Sequence, residues 1–518
     1  MWCGSVTRST VRSVGVTRSM RARRSCPDLK GTRPLPCDGT GAAKKERVQS
    51  MKTGNVRALG FVFGLTVLSV VPLAVRAETL ADTLKSAYIN SGLLDQNRAL
   101  LRSADEDVAQ AVASLRPIID WTSGISLDSS DTRSQTINRN TTSTSLNLGI
   151  TGSLLLYDFG RSDFLTESAK EIVLATRQTL ISVEQFVLLT GVQAYMNVIR
   201  NQEFVALRQN NLRLLREELR AAQDRFDVGE VTRTDVAQAE SAVALAQSGL
   251  AAAQGDLTSA IEEFREAVGR DPGPLQTPGD LPQLGENVDA AKAVAVRRHP
   301  DILQAQHNVA AAELNIRAAE AALMPTVNLT ARIGASEDLD GPDMSRTGSV
   351  GVELRGPIYQ GGRLNSAQRQ AMAQRDSQLA QLHLAGLQVK QDVGNSYANL
   401  RAARASRTAS REAVRAAQVA FEGTREEATL GARTTLDVLD SEQDLLDAQA
   451  NLISANADVV IAAYSVLASI GELTARDLNL GVQTYDPTAY YNLVKDAPIA
   501  ISPQGRKLDR VLRAIGKN

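Results

Sequence analysis

The chain has 518 residues, of which 43% are hydrophobic, 22% charged and only 4% aromatic, and its formal net charge is −1. Its three cysteines, Cys3, Cys26 and Cys37, all lie near the N-terminus, so the remaining sequence offers neither a disulfide nor a thiolate metal site. Residues 1–77 hold fourteen Lys/Arg and three Asp/Glu, which leaves 78–518 at −12; an acidic chain without a basic face argues against a nucleic-acid partner.

Residues 1–50 are rich in Arg and Ser and show no pattern. They are read as a non-native or mis-called extension upstream of Met51. Residues 51–77, "MKTGNVRALGFVFGLTVLSVVPLAVRA", combine a basic start (Lys52, Arg57), an apolar stretch and the small residues Val75 and Ala77 at −3 and −1. That is the pattern of a secretory signal peptide. Pro72 and the small-residue exit favour cleavage over a retained anchor, making Glu78 the first mature residue.

The first repeat is placed at 78–270. A helix ends at "LRP" (115–117), and a period of two follows. Ile119, Trp121, Ile125 and Leu127 share one face of a strand over 118–127, and Leu146, Leu148 and Ile150 alternate with polar residues over 145–152. A polar loop is expected between them, at 128–142. No proline occurs between Pro117 and Pro272, and proline is expelled from helix interiors. A continuous helix from Arg161 to Arg225 would be on the order of 100 Å long. It is interrupted at "RFDVGEVTRTDVAQAE" (225–240), after which Val236, Ala239, Val243, Ala246, Leu250, Ala253 and Leu257 alternate spacings of three and four. Such a heptad predicts a left-handed coiled coil.

A linker at 271–287 carries Pro272, Pro274, Pro278 and Pro282. The second repeat, 288–475, runs in the same order. "LMP" (323–325) answers "LRP", and strands with one apolar face are expected around 327–333 and 350–354, with a polar loop at 335–346. "IYQGGR" (358–363) matches "LYDFGR" (156–161), and "EEATLGARTTLDVLDSE" (426–442) repeats the turn. Gly229 and Gly431 stand 202 positions apart, as do Thr232 and Thr434, Asp235 and Asp437. The second heptad is Val438, Ser441, Leu445, Ala448, Leu452, Ala455 and Val459. Residues 476–518 are expected to form a C-terminal periplasmic segment, whose tail, 492–518, lies beyond the duplication and hangs in the periplasm.

The turn residues have a local reading. Each glycine suits a helix C-cap, and each Thr-x-x-Asp is a variant of the capping box that restarts a helix. Asp440 has no cap to explain it. Enzyme readings find no support: His299, His307 and His383 present no metal-binding pair, and no Walker loop, nucleophile elbow or paired-carboxylate setting occurs. No catalytic residue, cofactor or metal site is expected. Strands that are apolar on one face and polar on the other are those of an outer-membrane barrel, whose edges must all be closed. Four strands per chain are too few, and three chains would supply twelve.

At this point the chain resembles the TolC family of outer-membrane efflux and secretion channels. The resemblance rests on the twin turns, the strand exits "LYDFGR" and "IYQGGR", and "HPDILQAQHNVAAAELNIRAAEAALMP" at 299–325, and it spans about Thr79 to Tyr491. It implies an α+β membrane protein, mostly α: a homotrimer with one twelve-stranded outer-membrane barrel, four strands per chain, continuing into a long periplasmic α-helical coiled-coil barrel. Such a channel is the exit duct of a tripartite efflux pump or a type I secretion system. Its partners are a periplasmic adaptor and an inner-membrane pump. By the same resemblance Asp437 and Asp440 line the pore constriction, and Arg433 latches the tip with Thr234 and Asp235. Gly229, Val231 and Gly431 form the tip turns where an adaptor docks, with Asp235 beside them. A tyrosine usual in the family before the second turn is replaced here by Ala428. The alternative considered is a periplasmic coiled-coil adaptor or scaffold bridging two membranes; it fits two hairpins and four strands poorly.

Overall fold

Glycines with a left-handed backbone mark the places where this chain starts or ends its long helices. Gly160 and Gly362 (φ 82° each) precede one pair of helices, Gly229 and Gly431 (φ 82° and 75°) follow them, and Gly269 and Gly471 (φ 80° and 92°) end the next pair. Every member of these pairs lies 202 positions from its twin. The computed structural model describes residues 77–133, 136, 138–279 and 281–515, all within the unit Ala74–Asn518. The expected extension 1–50 and the expected signal peptide 51–77, Ala77 apart, lie outside the described residues.

The first half contains α1 (Leu80–Asn90), α2 (Gly92–Ala113), β1 (Ile118–Arg133), β2 (Asn138–Tyr157), α3 (Arg161–Asp227) and α4 (Arg233–Val268). The second contains α5 (Val288–Arg298), α6 (Pro300–Ala321), β3 (Thr326–Asp338), β4 (Met344–Arg355), α7 (Arg363–Thr429) and α8 (Thr435–Ile470). Two short helices follow, α9 (Pro487–Val494) and α10 (Pro503–Ile515). Helices α3 and α7 each have 67 residues, and α4 and α8 each have 36. At 1.5 Å per residue the long members reach about 100 Å. None of the fourteen expected heptad positions is exposed.

The single helix expected before each strand pair is in fact two. Ser91 breaks the first, its hydroxyl accepting the Leu94 N–H at 3.2 Å. His299 breaks the second: Pro300 keeps it out of the helical region, and its Nδ1 accepts the Asp301 N–H at 3.3 Å.

The four strands form one antiparallel sheet in the order β1-β2-β3-β4, so that β2 and β3 join the two halves. Its register puts the apolar residues on one face. Trp121 pairs with Ile150, and Ile150 with Ile333. Leu154 pairs with Leu329, and Leu329 with Val352. The opposite face carries Thr122, Asn147, Thr151, Thr330 and Glu353. Trp121 is 79% exposed, which in water would be costly and in hydrocarbon is favourable. The strands run further than their alternation indicated. Much of the expected loop 128–142 is strand, with Ser129 opposite Thr142 and Ser130 opposite Thr141, and β3 and β4 likewise extend into 335–346. There both faces are polar, so backbone pairing continues where the hydrophobic period stops.

The main core lies where α1 and α2 pack on the upper parts of α3, α4 and α8. Leu84, Leu101, Leu188, Tyr195 and Phe264 are among its fully buried members. Twin tyrosines tie the linker to both halves. Tyr195 donates to the carbonyls of Glu78 and Gln276, and Tyr397, 202 positions on, donates to the Gly285 carbonyl at 2.8 Å.

The glycine pairs divide by their surroundings. Gly229 has open space around it, whereas a Cβ on Gly269 would lie 2.6 Å from that of Asn90. A left-handed backbone alone costs a side chain about 1–2 kcal/mol. Gly229→Ala is therefore expected to lower the thermal midpoint of the helical circular-dichroism signal slightly, and Gly269→Ala to lower it much further. Equal shifts would contradict the packing at α1.

Candidate functional site at the hairpin tips

The tip turns are built from backbone first. At the end of α3 the Gly229 N–H bonds the Phe226 carbonyl (3.0 Å) and the Glu230 N–H bonds that of Arg225 (2.9 Å). The α7 end repeats this, Gly431 to Ala428 (3.1 Å) and Ala432 to Glu427 (2.9 Å). These paired bonds satisfy the last carbonyls of each helix and require a left-handed residue at the glycine. The chain then restarts on a capping box. The Asp235 carboxylate accepts the Thr232 N–H and hydroxyl at 2.8 and 2.7 Å; the Asp437 carboxylate accepts those of Thr434 at 2.9 and 2.8 Å. The Thr434 N–H and hydroxyl, with Arg433 nearby, hold the Asp437 carboxyl below its ordinary value. It therefore stabilises the tip above that ordinary value, and the contribution fades as pH falls through the lowered one.

Gly229, Val231, Thr234 and Asp235 thus lie in one turn and its first helical residues, and Gly431, Arg433, Asp437 and Asp440 in the other. Arg433 forms an ion pair with Glu427 of its own turn at 2.9 Å. No bond from it to Thr234 or Asp235 occurs among the described residues. At the matching positions of the first turn stand Val231 and Arg225, so this pair exists in one hairpin only. Asp440 is exposed on the first turns of α8, free of any cap. At the apices Val228 and Leu430 are 71% and 83% exposed, an apolar pair at matching positions that nothing covers among the described residues.

Above the tips the two hairpins meet on a buried polar contact that sequence reasoning missed. Glu442 of α8 is 3% exposed, and its Oε1 accepts the Asn211 side-chain N–H of α3 at 2.9 Å. Its Oε2 has no hydrogen-bond partner among the described residues. Leu215, Ala242, Ala246 and Leu439 surround it, beside Arg208. Burial pushes the Glu442 carboxyl up to about 7, against the Asn211 hydrogen bond; Glu218 adds to the rise and Arg425 opposes it. Arg425 and Glu218 bridge the same two hairpins at 3.3 Å. One signal was available: Glu442 interrupts the apolar stripe Val438, Leu445, Leu446 at helical spacing, while its twin Glu240 is exposed.

An amphipathic sheet with two open edges, continuing into helical hairpins of this length, is the architecture of an outer-membrane channel subunit. The family model described as outer membrane efflux protein matches residues 83–270 and 293–472. The chain is 37% identical over 436 residues to outer membrane efflux protein BepC of Brucella suis, covering 84% of this chain and 94% of that protein. It is 27% identical over 439 residues to outer membrane protein TolC of Escherichia coli, covering 82% and 88%. The solved CmeC outer membrane channel of Campylobacter jejuni has the same fold, with a TM-score of 0.67 at 16% identity over 82% of this chain and 90% of that one. The chain belongs to the outer membrane efflux protein family. That is a family of channel proteins, and the outer membrane is its location.

A carboxyl raised in the folded state binds its proton more tightly there than when unfolded. The inter-hairpin contact is accordingly strongest below the ordinary carboxyl value near 4.5 and weakens as pH rises through about 7. Hydrogen exchange of residues 211–215 and 439–446 is expected to quicken across this range beyond the intrinsic pH effect. Glu442→Gln, which keeps the Asn211 partner without the charge, should remove the excess. An unchanged profile in the variant would contradict the assignment.

Proposed function

We propose that three copies of the chain close one twelve-stranded barrel and form the exit duct of a tripartite efflux pump. The duct passes substrates from an inner-membrane pump through the periplasm to the exterior. The observation that carries this is the sheet: from Trp121 to Val352 one face is apolar and the other polar, its outer end is polar on both faces, and both edges are open among the described residues. A barrel of three such sheets has hydrocarbon outside and water within. The hairpins then stand below it as a tunnel, and the six tips reverse at one depth because both hairpins have the same helix lengths.

In this reading Asp437 and Asp440 form two carboxylate rings at the narrow end. Repeated carboxylates in a confined pore create a negative potential that favours cations. Arg433 keeps the second turn shut, through Glu427 and through Thr234 and Asp235 when the tips converge. Val228, Val231 and Leu430 offer the periplasmic adaptor an apolar contact beside Gly229 and Gly431. The adaptor or scaffold alternative has no use for a lipid-facing sheet.

Single-channel recording in planar bilayers tests the assignment. Asp440→Asn should weaken cation selectivity and block by multivalent cations with little effect on folding, since no cap depends on it. Asp437→Asn should do the same and also fray the start of α8. Arg433→Ala should raise the resting conductance. Unaltered selectivity and block in Asp440→Asn would remove that residue from the constriction.

A further inference from the structure

The C-terminal segment does not hang free. Tyr490 and Val494 of α9 and Leu508 of α10 form a small core with Ala109 of α2, and Arg116 donates to the carbonyls of Asp496 and Ala497. Arg116 stands two residues before β1, where the sheet begins. The same level is marked by the strand exits, where the tilted rings of Tyr157 and Phe159 meet with centroids 4.8 Å apart and Tyr359 is exposed. Aromatic residues at strand ends are the sign of a membrane–water interface. The tail is thus held at the inner rim of the membrane-facing sheet.

Its chemistry suits that level. Along α10 the apolar residues Leu508, Val511 and Leu512 share one side, and Arg506, Lys507, Arg510 and Arg513 the other. All four cations are exposed, and none forms an ion pair among the described residues. Ile499 and Ile501, in the loop leading into the helix, are 59% and 80% exposed. A basic helix carries this segment although the chain from Glu78 onward is acidic. Exposed isoleucines flanked by unpaired cations are the chemistry of an interfacial anchor on an anionic lipid surface.

We propose that the segment Ile499–Arg513 binds the anionic phospholipid headgroups of the membrane leaflet that faces the periplasm. Ile499 and Ile501 enter the acyl boundary, and Arg506, Lys507, Arg510 and Arg513 hold the phosphates. The tail then fixes the depth of each subunit at the rim. This rests on the membrane placement of the sheet proposed above.

The sequence from Glu78 onward contains no cysteine and one tryptophan, Trp121, which lies on the lipid-facing side of β1. The full mature chain with Ile501→Cys, labelled with an environment-sensitive fluorophore, is reconstituted in vesicles containing spin-labelled lipid. One set is phosphatidylcholine alone; the other also contains phosphatidylglycerol. Trp121 quenching reports insertion of the sheet in the same sample. The expected result is Trp121 quenching in both vesicles and quenching at position 501 that is strong only with phosphatidylglycerol. That quenching should be lost at high salt and in the combined variant Arg506→Gln, Lys507→Gln, Arg510→Gln, Arg513→Gln. Equal quenching at 501 in both vesicles, unaffected by the variant, would overturn the proposal, as would a label in water. A shielded label that lipid never quenches would assign the segment to another protein surface. Absence of Trp121 quenching would overturn the membrane placement itself and this inference with it.

Discussion

The open edges of the four-stranded sheet are the constraint on which the rest depends. Along β1 and β4 a row of backbone N–H and C=O groups has no strand beside it among the described residues. In water such edges are a liability, and in hydrocarbon each unsatisfied group costs several kcal/mol. The apolar face from Trp121 to Val352 commits the sheet to hydrocarbon, so the edges must pair with those of other copies. The polar inner face then lines an aqueous passage, and the helices leaving the strands must all descend on the same side.

Duplication gives that descent its geometry. Because α3 and α7 match residue for residue in length, and α4 and α8 do too, both hairpins of a chain reverse at the same depth. The halves differ near the tips. Arg433–Glu427, Asp440 and the buried Glu442 all belong to the second hairpin, and their twins carry other residues or lie exposed. Asn211–Glu442 and Arg425–Glu218 are contacts between the two hairpins.

Much of this was legible from residues alone, and what was legible was local. The glycine turns followed from the need for a left-handed residue after α3 and α7. The capping boxes followed from Thr-x-x-Asp, and the hairpin cores from the two heptads. The helix start at His299 was legible from Pro300, whereas the break at Ser91 escaped because capping there depends on a single side chain inside a strongly helical stretch. The length of β1 and β2 escaped because hydrophobic period reports burial, and above the lipid both faces of a strand meet water. The Asn211–Glu442 contact lies across 231 positions of sequence, which no local pattern encodes. The placement of the tail against α2 was hidden for the same reason.

Closure of the sheet by three chains is what the whole architecture requires. Native mass spectrometry of the folded protein, released from membranes in mild detergent, measures this directly. A trimer should dominate, with no stable inserted monomer. A monomer as the main folded and inserted species would contradict the architecture, because four strands cannot close a barrel by themselves.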